Sequence, residues 1–312
     1  MDQSASVFGL LDSALLVSFK PSLKADVVTF PKTEPEFSFV AAQSLITSNK
    51  QVTGPIHYNL RVVECTLAAQ VLASIFRVKK PLPKDDSPLG SSLHGFHDTF
   101  FEQEDDIADN TQSSLEVFQT QLNQLVKMVE DYLPQEEGYT REQISDILGI
   151  SIDELNEQYT TKVPVRAERF HLRQRALHVF TEALRVQQFM TLLNSKDEDP
   201  KELGKKLGSL LNDTQESCRD LYDCSCPELD ELCEIARGAG SYGSRLTGAG
   251  WGGCSVHLVP VNKVEKVKKA WKDRYYSKRF PKLTEEELEE AIVVSKPGRG
   301  SLTWAVEGRS SV

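Results

Sequence analysis

Gly248-Ala249-Gly250-Trp251-Gly252-Gly253 is the stretch of this chain best suited to holding a ligand, with four glycines in six positions. Without Cβ atoms the backbone can turn through positive φ and approach a partner closely. The letters match G-x-G-x-x-G. A dinucleotide-binding loop of that spacing follows a strand and opens a helix, so that the pyrophosphate meets the helix N-terminus. Here the residues after the glycines alternate as a strand instead, with Cys254, Val256 and Leu258 on one face and Ser255, His257 and Val259 on the other. A P-loop ends in Gly-Lys-Ser/Thr, whereas Cys254 and Ser255 follow Gly253. A protein-kinase glycine loop does lie between strands, but it comes with a catalytic HRD, a later Asn and a DFG. The chain offers only Arg219-Asp220-Leu221 after Cys218, and no DFG. Two readings stay open: a tight turn packed on a helix, and a loop that faces a ligand.

The other residues with chemical potential are less directed. Six cysteines, Cys65, Cys218, Cys224, Cys226, Cys233 and Cys254, lack the paired C-x2-C spacing or the histidine partners of a zinc site. Buried, reduced thiols are expected. His94 and His97 fall in a stretch with no rigid frame for a metal. Arg166, Arg169, Arg173 and Arg175 read as the solvated or ion-paired face of a helix start.

The elements that must position these residues follow from periodicity. A short helix from Asp2 and strands at 14–19 and 37–44 open the chain. Residues 57–76 make an amphipathic helix, with Leu60, Val63, Leu67, Val71 and Ile75 recurring at three and four. Residues 79–114 are rich in Pro, Ser, Gly and acid, and read as a long, poorly ordered surface insertion. Helices follow at 113–133, at 140–159 as two short pieces around Gly149, at 172–193, at 201–222 and at 227–240, where Gly238 and Gly240 stop the last. Ser151 and Glu154 form a capping-box pattern. After the glycine loop and its strand come a helix and two more strands, AIVVSKP and SLTWAVE. The class is α+β with antiparallel pairing.

Composition sets the bounds. The 312 residues suffice for one large domain or two ordinary ones. A formal net charge of −10 argues against nucleic acid as a general partner, which needs a basic footprint. No run approaches the roughly 18–20 apolar residues that cross a bilayer, so a membrane role is not expected. Asp2 and Asp12 come early without a basic leader. The expected compartment is the cytoplasm.

At this point a resemblance becomes specific. SYGSRLTGAGWGGCSVHLVP resembles the third motif of the GHMP kinases in its galactokinase form. YDCSCPELD is similar to the segment that precedes that motif, HYNLRVVECTLAA to the sugar-proximal helix, and Met1-Asp2-Gln3 to the MDQ segment. The likeness runs in order from residue 1 to about residue 305 and is closest to the fungal branch. It implies a remnant of an N-terminal, ribosomal S5-like domain at 1–56 and a GHMP kinase C-terminal domain at 57–312, with the flexible insertion at about 79–114. It implies transfer of the ATP γ-phosphate to the anomeric hydroxyl of galactose, with Mg2+. By the same resemblance Asp2 contacts the sugar and is the catalytic base, and Tyr58 hydrogen-bonds the sugar and points to galactose rather than N-acetylgalactosamine. Gly248, Ala249, Gly250, Gly252 and Gly253 then lie beside the phosphates. From the residues alone, Asp2 is an N-terminal helix residue and Tyr58 an aromatic helix-start residue.

The departures from the family are equally specific. The 312 residues contain no arginine-rich motif ending in Glu-His-x-Asp and no Gly-Leu-Ser-Ser-Ser-Ala loop to cradle the nucleotide. The expectation is therefore the C-terminal part of a galactokinase, inactive by itself. The alternative is a galactose-sensing regulator derived from a galactokinase, whose partner is a transcriptional repressor.

Overall fold

Two kinds of hydrophobic pattern divide the chain between a sheet and a helical body. The computed structural model describes residues 2–19, 22–47, 50–105, 113–296 and 298. In chain order the elements are α1 (Asp2–Phe8), β1 (Ser13–Ser18), β2 (Lys24–Thr29), β3 (Phe37–Gln43), α2 (Lys50–Thr53), α3 (Tyr58–Ile75), α4 (Leu93–Asp105), α5 (Leu115–Tyr132), α6 (Arg141–Leu148) and α7 (Ile152–Leu155). There follow α8 (Leu172–Asn194), α9 (Pro200–Asp220), α10 (Pro227–Ala239), β4 (Gly243–Leu246), β5 (Cys254–Pro260), α11 (Val264–Trp271), α12 (Ser277–Arg279), α13 (Glu285–Ala291) and β6 (Ile292–Ser295).

The main sheet runs β4-β5-β3-β6, antiparallel throughout. Its two faces are both covered. Val40, Ala42 and Val259 pack with Leu232 and Ile235 of α10 and Val267 and Trp271 of α11. On the other face Phe37, Phe39 and Leu258 meet Leu203 and Leu207 of α9 and Val28 of β2. β1 and β2 form a separate hairpin, Ser13 opposite Thr29 and Ser18 opposite Lys24.

The helical body gathers α3, α4, α5, α6 and α8 around Leu67, Val71, Phe96, Leu125, Ile144 and Phe180. Caps set its corners. Thr140 and Gln143 close a capping box on α6, Ser151 and Glu154 close the expected one on α7, and α6 ends on Gly149 with φ 68°.

The α+β class holds, and most helices fall where the periodicity puts them. Some expectations change in detail. β2 forms between the two expected strands, in a Pro- and Lys-bearing stretch whose sequence suggests a mere connection; its Val27-Val28 core is short, so its strand pattern is weak. The segment 79–114 is not wholly irregular: α4 lies inside it and buries Phe96, Phe100 and Phe101 against α3. The acidic flanks of α4 hide this apolar face. α3 is buried on nearly every side rather than amphipathic, its Arg61, Glu64 and Thr66 included. β3, which precedes the expected boundary after residue 56, lies in the main sheet between β5 and β6. Of the two glycines expected to stop α10, only Gly240 caps it, with φ 116°; Gly238 is inside the helix. SLTWAVE lies outside the described residues.

Candidate functional site

Tyr58 opens α3 and is more than half exposed. One turn on, Arg61 is buried, and its guanidinium reaches across to a segment 161 residues later. Nη1 donates to the carbonyls of Tyr222 (2.9 Å) and Asp223 (3.3 Å) and to the Asp223 carboxylate (2.9 Å). Arg61 Nε lies 3.0 Å from Glu64 Oε2, an ion pair too poorly aligned for a hydrogen bond. Glu64 is fully buried and also accepts from Arg175 Nε (2.7 Å) and the His171 amide (2.8 Å). Arg175 in turn donates to the Leu221 carbonyl. Two buried guanidinium groups and one buried carboxylate thus fasten residues 221–223 to α3 and α8.

That fastened segment carries the glycine loop. The Trp251 amide donates to the Cys224 carbonyl (2.8 Å), and its indole N–H to the Asp223 carbonyl (3.0 Å). The indole stacks on His57, ring centroids 4.8 Å apart and planes 2° apart. Burial, with a smaller push from Arg61, holds the His57 imidazole below its ordinary pKa against the pull of Asp223. Gly250 has φ 84° and sits so close to the Cys224 carbonyl that a Cβ would collide with it. This position needs glycine for both reasons.

Tyr58, Gly248, Ala249 and Trp251 line one cleft of about 290 Å3, together with Arg61 and Arg245. Gly250 adjoins it through a narrow recess shared with His57 and Tyr58. At Gly248, φ is 78° and nothing stands within 4 Å of where a Cβ would be. Among the described residues the amides of Gly248, Ala249 and Gly250 have no hydrogen-bond acceptor. A run of open amides at a positive-φ turn suits an anionic oxygen. Gly252 and Gly253 do something else. The Gly253 amide donates to Ile46 (3.0 Å), its carbonyl accepts from Ser44 (2.7 Å), and Gly252 packs on Ile46, so the pair ties the loop to the end of β3. Asp2 is the first residue of α1; its side chain lies outside what is described.

The floor of the cleft is polar. Glu182 on α8 accepts from Arg245 (3.0 Å), Arg185 (3.0 Å) and Thr214 (2.8 Å). Burial pushes its pKa up, but these partners outweigh that and leave it below the usual carboxylate range. His178 bonds Ser217 (2.9 Å) and stacks on Tyr222, and burial lowers it to about 4. All six cysteines are free thiols, with Cys218, Cys224 and Cys233 buried. Among the described residues no group of three or more His, Cys, Asp or Glu is placed to hold a metal ion.

Sequence reasoning found Tyr58 and the loop but missed what holds them. Arg61 and Glu64 are a charged pair three residues apart inside an apolar run, which is the one local signal of a buried ion pair. Arg175 sat in a cluster read as a solvated or ion-paired face. In the fold Arg175 is buried, Arg173 caps the carbonyls of Val129 and Glu130, and Arg169 caps Gly138. His97, expected in an irregular stretch, is buried on α4 and hydrogen-bonded to Gln121 (2.9 Å).

Comparison with known proteins points one way. Residues 189–277 match the family described as GHMP kinases C terminal. The chain is 43% identical to the galactokinase of Saccharomyces cerevisiae over 97% of its own length and 59% of the relative's. It is 39% identical to that of Schizosaccharomyces pombe over 96% of the chain and 59% of the relative. For the galactokinase of Dictyostelium discoideum the figures are 38%, 89% and 53%. The chain thus spans less than two thirds of the length of these relatives. Among solved structures, a Lactococcus lactis galactokinase complexed with galactose shares the fold, with TM-score 0.50 and 20% identity, over 96% of this chain and 54% of that one.

Proposed function

We propose that this chain, which carries a GHMP kinase C-terminal domain and is similar to galactokinases along almost all its length, supplies the sugar-side wall of an enzyme that phosphorylates galactose with ATP at the anomeric hydroxyl. One observation carries the reading: Tyr58 and the amides of Gly248 and Ala249 line the same cleft, although 190 residues separate Tyr58 from Gly248.

Each group has a distinct task in this scheme. The Tyr58 hydroxyl hydrogen-bonds a sugar hydroxyl and fixes the ring. The open amides of Gly248, Ala249 and Gly250 receive a phosphate oxygen through aligned dipoles. Asp2 accepts the anomeric proton as that oxygen attacks the γ-phosphorus and ADP departs. The Arg61–Glu64–Arg175 network acts through position alone, keeping loop and tyrosine in register. Mg2+ accompanies phosphoryl transfer in enzymes of this kind, but the described residues offer no cluster for it, and no step here runs through it. The reading also places the protein in the cytoplasm.

Titration calorimetry with galactose tests the sugar half. Binding that weakens about three- to tenfold in Tyr58→Phe is expected, the worth of one hydrogen bond. No binding by the wild-type chain, or tighter binding of N-acetylgalactosamine, overturns the galactose assignment. A coupled ADP-release assay tests the rest. The 312 residues alone should not turn over, for want of a serine-rich nucleotide loop; robust galactose-dependent release by them overturns that part.

A further inference from the structure

A second cavity, of about 250 Å3, lies between the β1–β2 hairpin and helices α8 and α9. Its lining is apolar over most of its extent: Leu16 and Val28 from the hairpin, Phe189, Met190 and Leu193 from α8, and Leu211 from α9. One end differs. There Arg185, Arg245, Glu182 and Thr214 join the wall. The single carboxylate of Glu182 pairs with both guanidinium groups. Thr214 spends its hydroxyl on Glu182. Two positive charges against one negative leave this end with a surplus of one positive charge. Arg185 lines this wall, and its Nη2 is buried without a hydrogen-bond partner.

A buried guanidinium N–H without an acceptor is costly, and a guanidinium pairs best with a carboxylate. The apolar walls call for a hydrocarbon chain, since such a cavity gains nothing from polar contents. A cavity of about 150 Å3 holds benzene, with six non-hydrogen atoms; on that scale about 250 Å3 takes roughly ten. A neutral apolar molecule would leave the surplus charge unanswered. A free phosphate would leave the hydrocarbon walls bare.

We propose that this cavity is a binding site for a medium-chain monocarboxylate, with the alkyl chain between the hairpin and α8 and the carboxylate at the Arg185–Arg245 end. The site is separate from the sugar cleft, but Glu182 and Arg245 belong to both walls. Occupancy therefore bears on the floor of the cleft through a single shared ion pair.

The probe is octanoate, titrated calorimetrically into the full chain, with 1-octanol and butyrate as matched controls. Octanoate should bind one to one. Octanol, which lacks the charge, and butyrate, which lacks the chain, should each bind at least about tenfold more weakly, the worth of one charge-assisted hydrogen bond or of a few buried methylenes. Octanol binding as tightly as octanoate overturns the charge argument. Butyrate binding as tightly overturns the cavity argument, and no octanoate binding overturns the proposal outright. Two variants, checked for folding by circular dichroism, locate the site. Arg185→Gln should remove the preference for octanoate over octanol, and Val186→Trp, at a partly exposed lining position, should weaken both. Unchanged octanoate affinity in both folded variants places the ligand elsewhere and sinks the proposal.

Discussion

Glu64 is the residue on which the candidate site hinges. It is fully buried between Arg61 and Arg175, whereas Asp223, the other carboxylate of that cluster, is exposed. Replacing one partner of a buried ion pair leaves the other charges uncompensated. Glu64→Gln should therefore destabilise the chain by about 3–5 kcal/mol, read as a lower urea midpoint. An unchanged midpoint would remove the network from the account of how residues 221–223 are held. His257 offers a test with the opposite chemistry. It sits within the sheet, bonded to Ser244 and Ser255 (2.8 Å each), and burial, with a smaller contribution from Arg237, lowers its pKa to about 3. In the unfolded chain the imidazole takes its proton near the ordinary value of about 6.5. Between those values the unfolded state binds more protons, so stability rises with pH and is lost on acidification below about 6.5. His178, lowered to about 4, acts in the same direction. At pH 4.5 the His257 contribution amounts to about 3 kcal/mol. Unfolding free energy measured by urea from pH 7 to 4.5 should fall, and His257→Gln should flatten the slope. An equal slope in the variant would show that His257 is protonated when folded.

At the scale of elements, α9 and β4 approach so closely that neither side tolerates a side chain. A Cβ on Gly208 would run into the backbone carbonyl of Tyr242, and one on Gly243 into the backbone of Gly208. Gly208→Ala should cost about 1–3 kcal/mol through forced separation of helix and strand. Gly238 provides the contrast, because it is exposed in α10 and a Cβ there meets only the end of Arg274, 3.9 Å away. Gly238→Ala should stabilise by about 0.5–1 kcal/mol by restricting the unfolded chain. Thermal unfolding of the two variants should move in opposite directions, and a shift in the same direction would refute the packing argument. These elements also show what the sequence could and could not reveal. The strand after the glycine loop, the helix beginning at Tyr58 and the capping box at Ser151 were legible because each rests on local spacing. The loop's position beside Tyr58 was legible only by resemblance. The polar contacts that hold it there, Arg61 to Asp223 and Trp251 to Asp223, join residues 28 to 162 positions apart and leave no local trace. β2 and α4 were missed because flanking charge and proline diluted short apolar faces.

Over the whole molecule, the likeness to galactokinases covers nearly the entire chain, while the family match is confined to residues 189–277. The two assemblies of the chain meet at the candidate cleft: α3 and α8 belong to the helical body, and the glycine loop connects β4 and β5 of the sheet. The position of β3 has a consequence for how the chain comes to be built. Phe37 is paired with Pro260, and Phe39 with Ser295. Neither neighbour exists until more than two hundred further residues have been synthesised. Until then β3 has two open edges and an apolar surface, while the intervening helices can already collapse on one another. Pairings between residues so far apart in sequence are slow to close. The glycine loop, tied through Gly253 to the end of β3, is therefore expected to take its shape late in folding.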